Sequence, residues 1–195
     1  MAKKRRKYEF RPDKPRSGFL DRLFLTQKQR KSLLKWTLYG AVLLLLSVIQ
    51  DTMLCKMRIL DATTDLVPCA IVLICVLQGT ETGSVFVLAA SVLFVFSGSA
   101  PGAYVIAFLE LLGVGAAAFR QAFLRKGFSA AMLCTGVVFL IYEMAVFAVG
   151  VGMGLTTIDR VYRFLVTAGL TFVTAPILYP IVLSIGKIGG ETWKE

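Results

Sequence analysis

The sequence predicts an all-α protein, a polytopic bundle of about six membrane-crossing helices. The 195-residue chain is 56% hydrophobic and only 17% charged, whereas soluble domains are nearer half apolar and a quarter charged. The apolar residues are concentrated in blocks after residue 35. The opening stretch MAKKRRKYEFRPDKPRSG has neither an apolar core nor a small-residue cleavage site, so we expect the first apolar segment to remain as an anchor.

The apolar blocks divide into six segments, at residues 36–50, 66–78, 84–97, 103–119, 128–152 and 164–186. A helix needs about 20 residues to cross the hydrocarbon core of a bilayer. The second and third segments are shorter than this. They are joined by QGTETG, in which Gly79 and Gly83 favour a turn. These two segments are therefore either thin or tilted spans, or a re-entrant hairpin buried among the other helices.

Positive charge predicts the orientation of the bundle. Residues 1–35 contain 13 Lys and Arg with three acids and carry the whole net charge of +10. We predict a basic cytoplasmic tail over 1–35, a six-helix bundle over 36–188 and a second cytoplasmic tail over 189–195. The basic tail suits anionic lipid rather than nucleic acid. Within it, GFLDRLF at 18–24 has one apolar face, which favours either an interfacial helix or a flexible lead-in.

Two acids interrupt the apolar segments, Glu110 in the fourth and Glu143 in the fifth. Because an ionised carboxylate is costly inside a bilayer, each should face the bundle interior, stay protonated or meet a cation. Arg160 and Arg163, at the start of the sixth segment, are the candidate ion-pair partners of Glu143. One interpretation of the acids is a proton relay or substrate site. The other is hydrogen bonding that orders the helices or binds a partner.

Small residues and prolines predict where the helices pack, turn and bend. The fourth segment carries small residues that allow close helix packing: Gly113, Gly115, Ala116 and Ala117. A tight turn before that segment is predicted by three residues: Gly98, Pro101 and Gly102. The sixth segment carries Pro176 and Pro180, four residues apart, where we expect a kink.

The composition argues against catalysis. Histidine is absent, which removes His-based acid–base chemistry, the HExxH zinc motif and Ser-His-Asp triads. No Lys lies between Lys56 and Lys126 to form an intramembrane Ser-Lys dyad. The acids assigned to the membrane are both glutamates, so no aspartyl-type pair is expected. We predict a protein that is not an enzyme and has no cofactor and no metal site.

Several short motifs occur in the order found in one membrane family. They are DLVP at 65–68, with Asp65 and Pro68, then the Gly79 and Gly83 spacing, SGSAPG at 97–102, Tyr142 with Glu143, and PILYP at 176–180 followed by Gly186 and Lys187. With six segments over roughly residues 36–190, the chain resembles MreD, the integral membrane protein of the bacterial rod-shape complex.

The resemblance implies a membrane scaffold of cell-wall elongation and peptidoglycan synthesis, located in the bacterial plasma membrane and acting in the regulation of cell shape. Its partner would be an MreC-like single-span protein, connected to MreB filaments and peptidoglycan synthases. The family fold is also similar to that of the substrate-binding subunits of vitamin transporters. A small-solute transporter subunit, with a pocket near Glu143, Glu110, Tyr142 and Tyr104, is therefore the alternative function.

Overall fold

The computed structural model describes residues 27–54, 56, 62–124 and 127–188. This part of the chain contains six α-helices and no strand, which confirms the predicted all-α bundle. The helices are α1 (Gln27–Ile49), α2 (Leu66–Gln78), α3 (Thr80–Phe96), α4 (Tyr104–Phe123), α5 (Phe128–Gly152) and α6 (Val161–Ile188). A π-helical turn (Gln50–Leu54) extends α1, and a 3-10 turn (Ile158–Arg160) precedes α6.

Helix α2 forms the centre of the bundle, and the other five helices all contact it. Every residue from Leu66 to Leu77 is buried. Its sequence, LVPCAIVLICVLQ, is apolar on all faces, which is the pattern of a helix that is surrounded by protein. The hydrophobic core of the molecule therefore follows α2 along its length.

Two sets of contacts show that α2 runs antiparallel to α1. The side chain of Gln78, at the end of α2, bonds Lys35 and Tyr39 near the start of α1. The amide of Val67, at the start of α2, bonds Gln50 beyond the end of α1. We call these opposite ends of the bundle the Lys35 end and the Asp51 end, and successive helices alternate in direction between them.

The α2–α3 hairpin crosses the bundle. Its turn at Gly79 lies at the Lys35 end, where Thr80 bonds Gln121 in the last turn of α4. Gly79 has a φ of +90°, which a residue with a Cβ adopts only under strain. At Gly83 an added Cβ would lie 3.0 Å from the carbonyl oxygen of Cys75, so glycine permits the close contact of α3 with α2. The choice between thin or tilted spans and a re-entrant hairpin stays a prediction.

Four helical stretches are long and apolar enough to cross a membrane: Gln29–Leu54, Tyr104–Phe123, Phe128–Gly152 and Ile158–Ile188. The chain is accordingly a membrane protein. Helices α2 and α5 have the bounds predicted from their apolar segments. Helix α1 begins at Gln27, nine residues before the predicted segment, so the helix includes part of the predicted basic tail. The predicted interfacial helix at 18–24 and the tail at 189–195 lie outside the described residues.

Candidate functional site

The candidate site is a polar recess at the Asp51 end of the bundle. Three adjoining cavities of about 310, 360 and 430 Å³ share Asp65 as a lining residue. We call them together the Asp65 recess. Its polar or titratable lining side chains, from every element around it, are Gln50, Asp51, Thr63, Thr64, Asp65, Ser97, Ser99, Tyr104, Tyr142, Glu143, Thr156, Arg160, Arg163 and Thr167.

The recess extends well into the bundle because α2 begins deep inside it. The backbone N–H of Asp65 donates to Thr171 Oγ1 at 3.0 Å, and Thr171 is ten residues into α6, or about 15 Å along that helix. The 13-residue length of α2 follows from this: its first turn forms the floor of the recess rather than extending to the surface.

Side chains from other helices cap the first turn of α2. The N–H of Val67 donates to Gln50 Oε1 at 3.0 Å, and Pro68 has no N–H to satisfy. Asp65 precedes the helix but makes no side-chain capping bond. Asp is commonly found at this position because its carboxylate accepts from the first amides. Here the carboxyl group of Asp65 is directed to other partners.

The partner of Asp65 is Glu143 on α5. The two carboxyl groups line the same two cavities and are close enough to influence each other's ionisation. Glu143 is only 3% exposed, and its Oε1 atom accepts no hydrogen bond from a donor among the described residues. Burial raises the pKa of the Asp65 carboxyl to about 6, and the adjacent Glu143 opposes that increase. The recess therefore contains a buried carboxyl pair, which holds a proton more strongly than two separate surface acids would.

Asp65 was not predicted from the sequence to lie in the bundle interior together with Glu110 and Glu143. Asp65 was assigned to the connection before the second segment, and its depth is set by the recessed start of α2. The available signal was its position immediately before a wholly apolar, and hence buried, helix. Nothing in the linear sequence indicates that α5 would bring Glu143 to the same depth.

The other predicted site residues have separate locations. Arg160 and Arg163 line the same 310 Å³ cavity as Asp65 and Glu143, so the structure brings these predicted partners together. Glu110 lies elsewhere: its carboxyl is close to the Cys75 thiol, ten residues along α2 from Asp65, or about 15 Å. Glu110 Oε2 is buried without a hydrogen-bond partner in the described structure. The two glutamates are therefore at different depths and form separate environments.

The small residues of α4 are on two sides of the helix. Gly113, Ala116 and Ala117 are buried, and a Cβ added to Gly113 would contact Val87 of α3 and Cys75 of α2. This side packs inside the bundle. Gly115 is exposed, and an added Cβ there would contact nothing within 4 Å.

The predicted turn and proline positions are also visible in the structure. Gly98 has a φ of +78° in the connection from α3 to α4, and Pro101 and Gly102 lie in the same connection before Tyr104. Helix α6 remains helical through Pro176 and Pro180.

A second surface feature is an apolar groove between α5 and α6, with a volume of about 550 Å³. It is lined by Ser129, Met132, Leu133, Gly136, Val137, Leu140, Leu165, Ala168, Gly169 and Phe172. On each helix these positions repeat at intervals of three and four, which places them on one face. We call this feature the α5–α6 groove. It faces outward, because its leucines and Phe172 are about half exposed.

Within the described residues, no group of three or more Cys, Asp or Glu side chains is arranged to hold a metal ion. The chain was compared with family models, curated proteins and solved structures, and nothing matches it in any of the three comparisons.

Proposed function

We propose that the chain is a non-enzymatic scaffold of the bacterial cell-wall elongation machinery, which binds an MreC-like single-span protein in the plasma membrane. Through that partner it would be connected to MreB filaments and peptidoglycan synthases. The order of MreD-like motifs supports this proposal. Asp65 precedes the central helix α2 and Pro68 lies in its first turn, while Gly79 forms the turn after α2 and Gly83 lies in the first turn of α3.

The orientation in this proposal has both termini in the cytoplasm. It is supported by the distribution of cations, since Arg30, Lys31, Lys35, Arg120 and Lys187 lie at or near the Lys35 end. Cytoplasmic segments of membrane proteins carry an excess of Lys and Arg. The Asp65 recess would then be accessible from outside the cell.

The observation that carries the proposal is the α5–α6 groove. Its lining on α5 extends from Ser129 to Leu140, about three helical turns. Ala168 and Gly169 lie along it, and small residues permit the backbone of another helix to approach closely. Gly136 instead accommodates the ring of Phe172 from α6. Both walls belong to helices that are long and apolar enough to cross a membrane. An apolar transmembrane helix is the partner with a matching shape and polarity.

Gly169→Leu tests the groove. An added Cβ at Gly169 contacts nothing within 4 Å, so leucine should fill the groove without disturbing the bundle. We expect tenfold or greater loss of a co-expressed MreC-like protein in affinity purification, because a side chain in the contact prevents close helix approach. Recovery is measured relative to the amount of folded bait.

Gly40→Leu on α1 is the matched control, because it is also a helical glycine with nothing within 4 Å of an added Cβ. We expect it to retain the partner. Gly115→Leu on α4 tests the helix that the sequence favours as a packing surface, and an added Cβ there is equally unobstructed. Loss of partner only with Gly115→Leu would move the binding surface to α4. Full recovery with all three variants would refute both locations.

A small-solute-binding subunit is the second candidate, and the Asp65 recess favours it. The recess combines the two carboxyls, Arg160, Arg163 and several hydroxyl groups around cavities of 310 to 430 Å³. Pockets for small molecules commonly have such convergent polar groups. Denaturing the purified protein and identifying released compounds by mass spectrometry distinguishes this function from scaffolding. A stoichiometric small molecule would support solute binding, whereas repeated preparations without one would favour the scaffold.

A further inference from the structure

The carboxyl pair in the Asp65 recess connects two parts of the chain. Asp65 immediately precedes α2, and Glu143 is nine residues before the end of α5. The carboxyl groups lie beside each other in two of the cavities, and an ionised carboxylate can only accept a hydrogen bond. A hydrogen bond between the two groups therefore requires that one of them carries a proton. Glu143 is almost fully buried, so two adjacent negative charges would be strongly unfavourable there.

The recess gives this pair a route to solvent. Glu143 lines two of the three cavities and Asp65 lines all three. The rim includes Leu155 and Arg160, which are exposed, and Ser99, which is half-buried. Asp65 is only partly buried and lines all three cavities, so water in the recess can reach the pair at this carboxyl group. A proton can therefore be exchanged at the Asp51 end without crossing the bundle.

We propose that Asp65 and Glu143 form a proton-binding clamp, in which one shared proton fastens the start of α2 to α5 and its loss separates them. On release the O–H bond breaks, the proton passes to water in the recess, and both carboxyls remain as carboxylates. Their repulsion would move Asp65 away from Glu143 and enlarge the recess. This inference goes beyond both functions considered above and depends on neither.

Other titratable or charged groups around the pair influence its proton affinity. They are Asp51 at the end of α1, Tyr104 on α4, Tyr142 on α5, and Arg160 and Arg163 at the start of α6. The two guanidinium groups favour the ionised carboxyls, whereas Asp51 favours the protonated form. The arginines therefore make proton release feasible, since they offer positive charge to the carboxylates that remain.

The test is the melting temperature of the full chain in detergent from about pH 5 to about pH 9, across the range in which a raised carboxyl titrates. An unfolded Asp titrates near pH 4, and the Asp65 carboxyl in the folded protein has a pKa of about 6. The folded state therefore binds more protons than the unfolded state in this range. Its stability declines as the pH rises, and the decline ends once the shared proton has been released. We expect a decrease of about 3 °C or more.

Glu143→Gln keeps a hydrogen-bond donor for Asp65 but cannot lose a proton. We expect this variant to lose most of the pH-dependent decrease and to melt above the wild type at alkaline pH. Asp65→Asn provides the reciprocal test. The matched control is Glu110→Gln, a carboxyl inside the bundle that is not paired with Asp65, and it should keep the wild-type pH profile.

Infrared spectroscopy of the wild-type protein supplies a measurement that does not depend on variants folding. Raising the pH should remove one protonated-carboxyl C=O band, and Glu110→Gln should still show this change. A wild-type melting temperature and infrared spectrum that do not change across the pH range would overturn the clamp. Equal pH dependence in wild type and Glu143→Gln would also overturn it.

Discussion

At the Lys35 end of the bundle, polar side chains meet α2 in a closed hydrogen-bond network, whereas at the Asp51 end they line open cavities. Lys35 Nζ donates to Gln78 Oε1 at 2.8 Å, Gln78 Nε2 donates to Tyr39 Oη at 2.6 Å, and the Tyr39 hydroxyl donates to the Val182 carbonyl at 3.2 Å. Arg120 donates to the Val76 carbonyl in the same region. The network joins α1, α2, α4 and α6.

The Asp51 end has the same kinds of polar group, but their hydrogen bonds are incomplete. Glu143 Oε1 and Thr64 Oγ1 are buried without a hydrogen-bond partner among the described residues, and cavities separate the polar walls. A fully satisfied buried network rigidifies a structure, whereas an incomplete one is less stable and easier to rearrange. We infer that the Lys35 end holds the bundle together and that the Asp51 end is the part able to change with protons or ligands.

Among the substitutions that test this comparison, Gln78→Leu should lower the free energy of unfolding most. Leucine removes the amide oxygen that accepts from Lys35 Nζ and the amide nitrogen that donates to Tyr39 Oη. One of the two lost bonds is charge-assisted, so we expect the free energy of unfolding to decrease by about 2 to 4 kcal/mol. Chemical unfolding in mixed micelles measures this change.

Gln121→Leu is the control, since Gln121 is an exposed glutamine near the same turn with one bond to Thr80. It should cost about 0.5 kcal/mol or less, as is usual for exposed positions. Similar losses from the two variants would contradict the assignment of the Lys35 network as the main brace.

An intermediate effect is expected for Thr171→Val at the floor of the Asp65 recess. Thr171 is fully buried, and its Oγ1 accepts the N–H of Asp65. Valine has nearly the same shape but leaves that amide without its acceptor, so we expect a loss of about 1 to 2 kcal/mol in unfolding free energy. Thr174→Val, which removes only a bond to the Thr171 carbonyl within α6, should cost less. Equal losses from the two variants would contradict the dependence of Asp65's position on α6.

The smallest effect is expected for Ser99→Ala at the rim of the recess. The Ser99 hydroxyl donates to the Asp51 carboxylate, with distances of 2.9 and 3.0 Å to its two oxygens; Asp51 is exposed and Ser99 is half-buried. We expect a change of about 0.5 kcal/mol or less in unfolding free energy. A loss as large as that of Thr171→Val would show that the rim is a structural element.

Much of the fold is encoded in local patterns of residue type. The apolar runs predicted α2 and α5 with their observed bounds, and the Gly79 and Gly83 spacing predicted the turn between α2 and α3. The beginning of α1 was missed because Lys, Arg and Gln are good helix formers, so that helix continues to Gln27 beyond its apolar part. Helix α3 similarly begins at Thr80 with polar residues that the apolar segment excludes.

The sequence by itself determined that the chain is a helical membrane protein, that α2 is apolar on every face, and that Glu143 lies within an apolar helix. These properties are local, because they follow from composition and from the spacing of residues along one segment. Only the tertiary structure decided that Asp65 meets Glu143, that Glu110 does not, and that the outward groove lies between α5 and α6. The depth of a residue in the bundle and the direction of its side chain depend on the axial position and rotation of its helix relative to the neighbouring helices. Side-chain packing in three dimensions determines both.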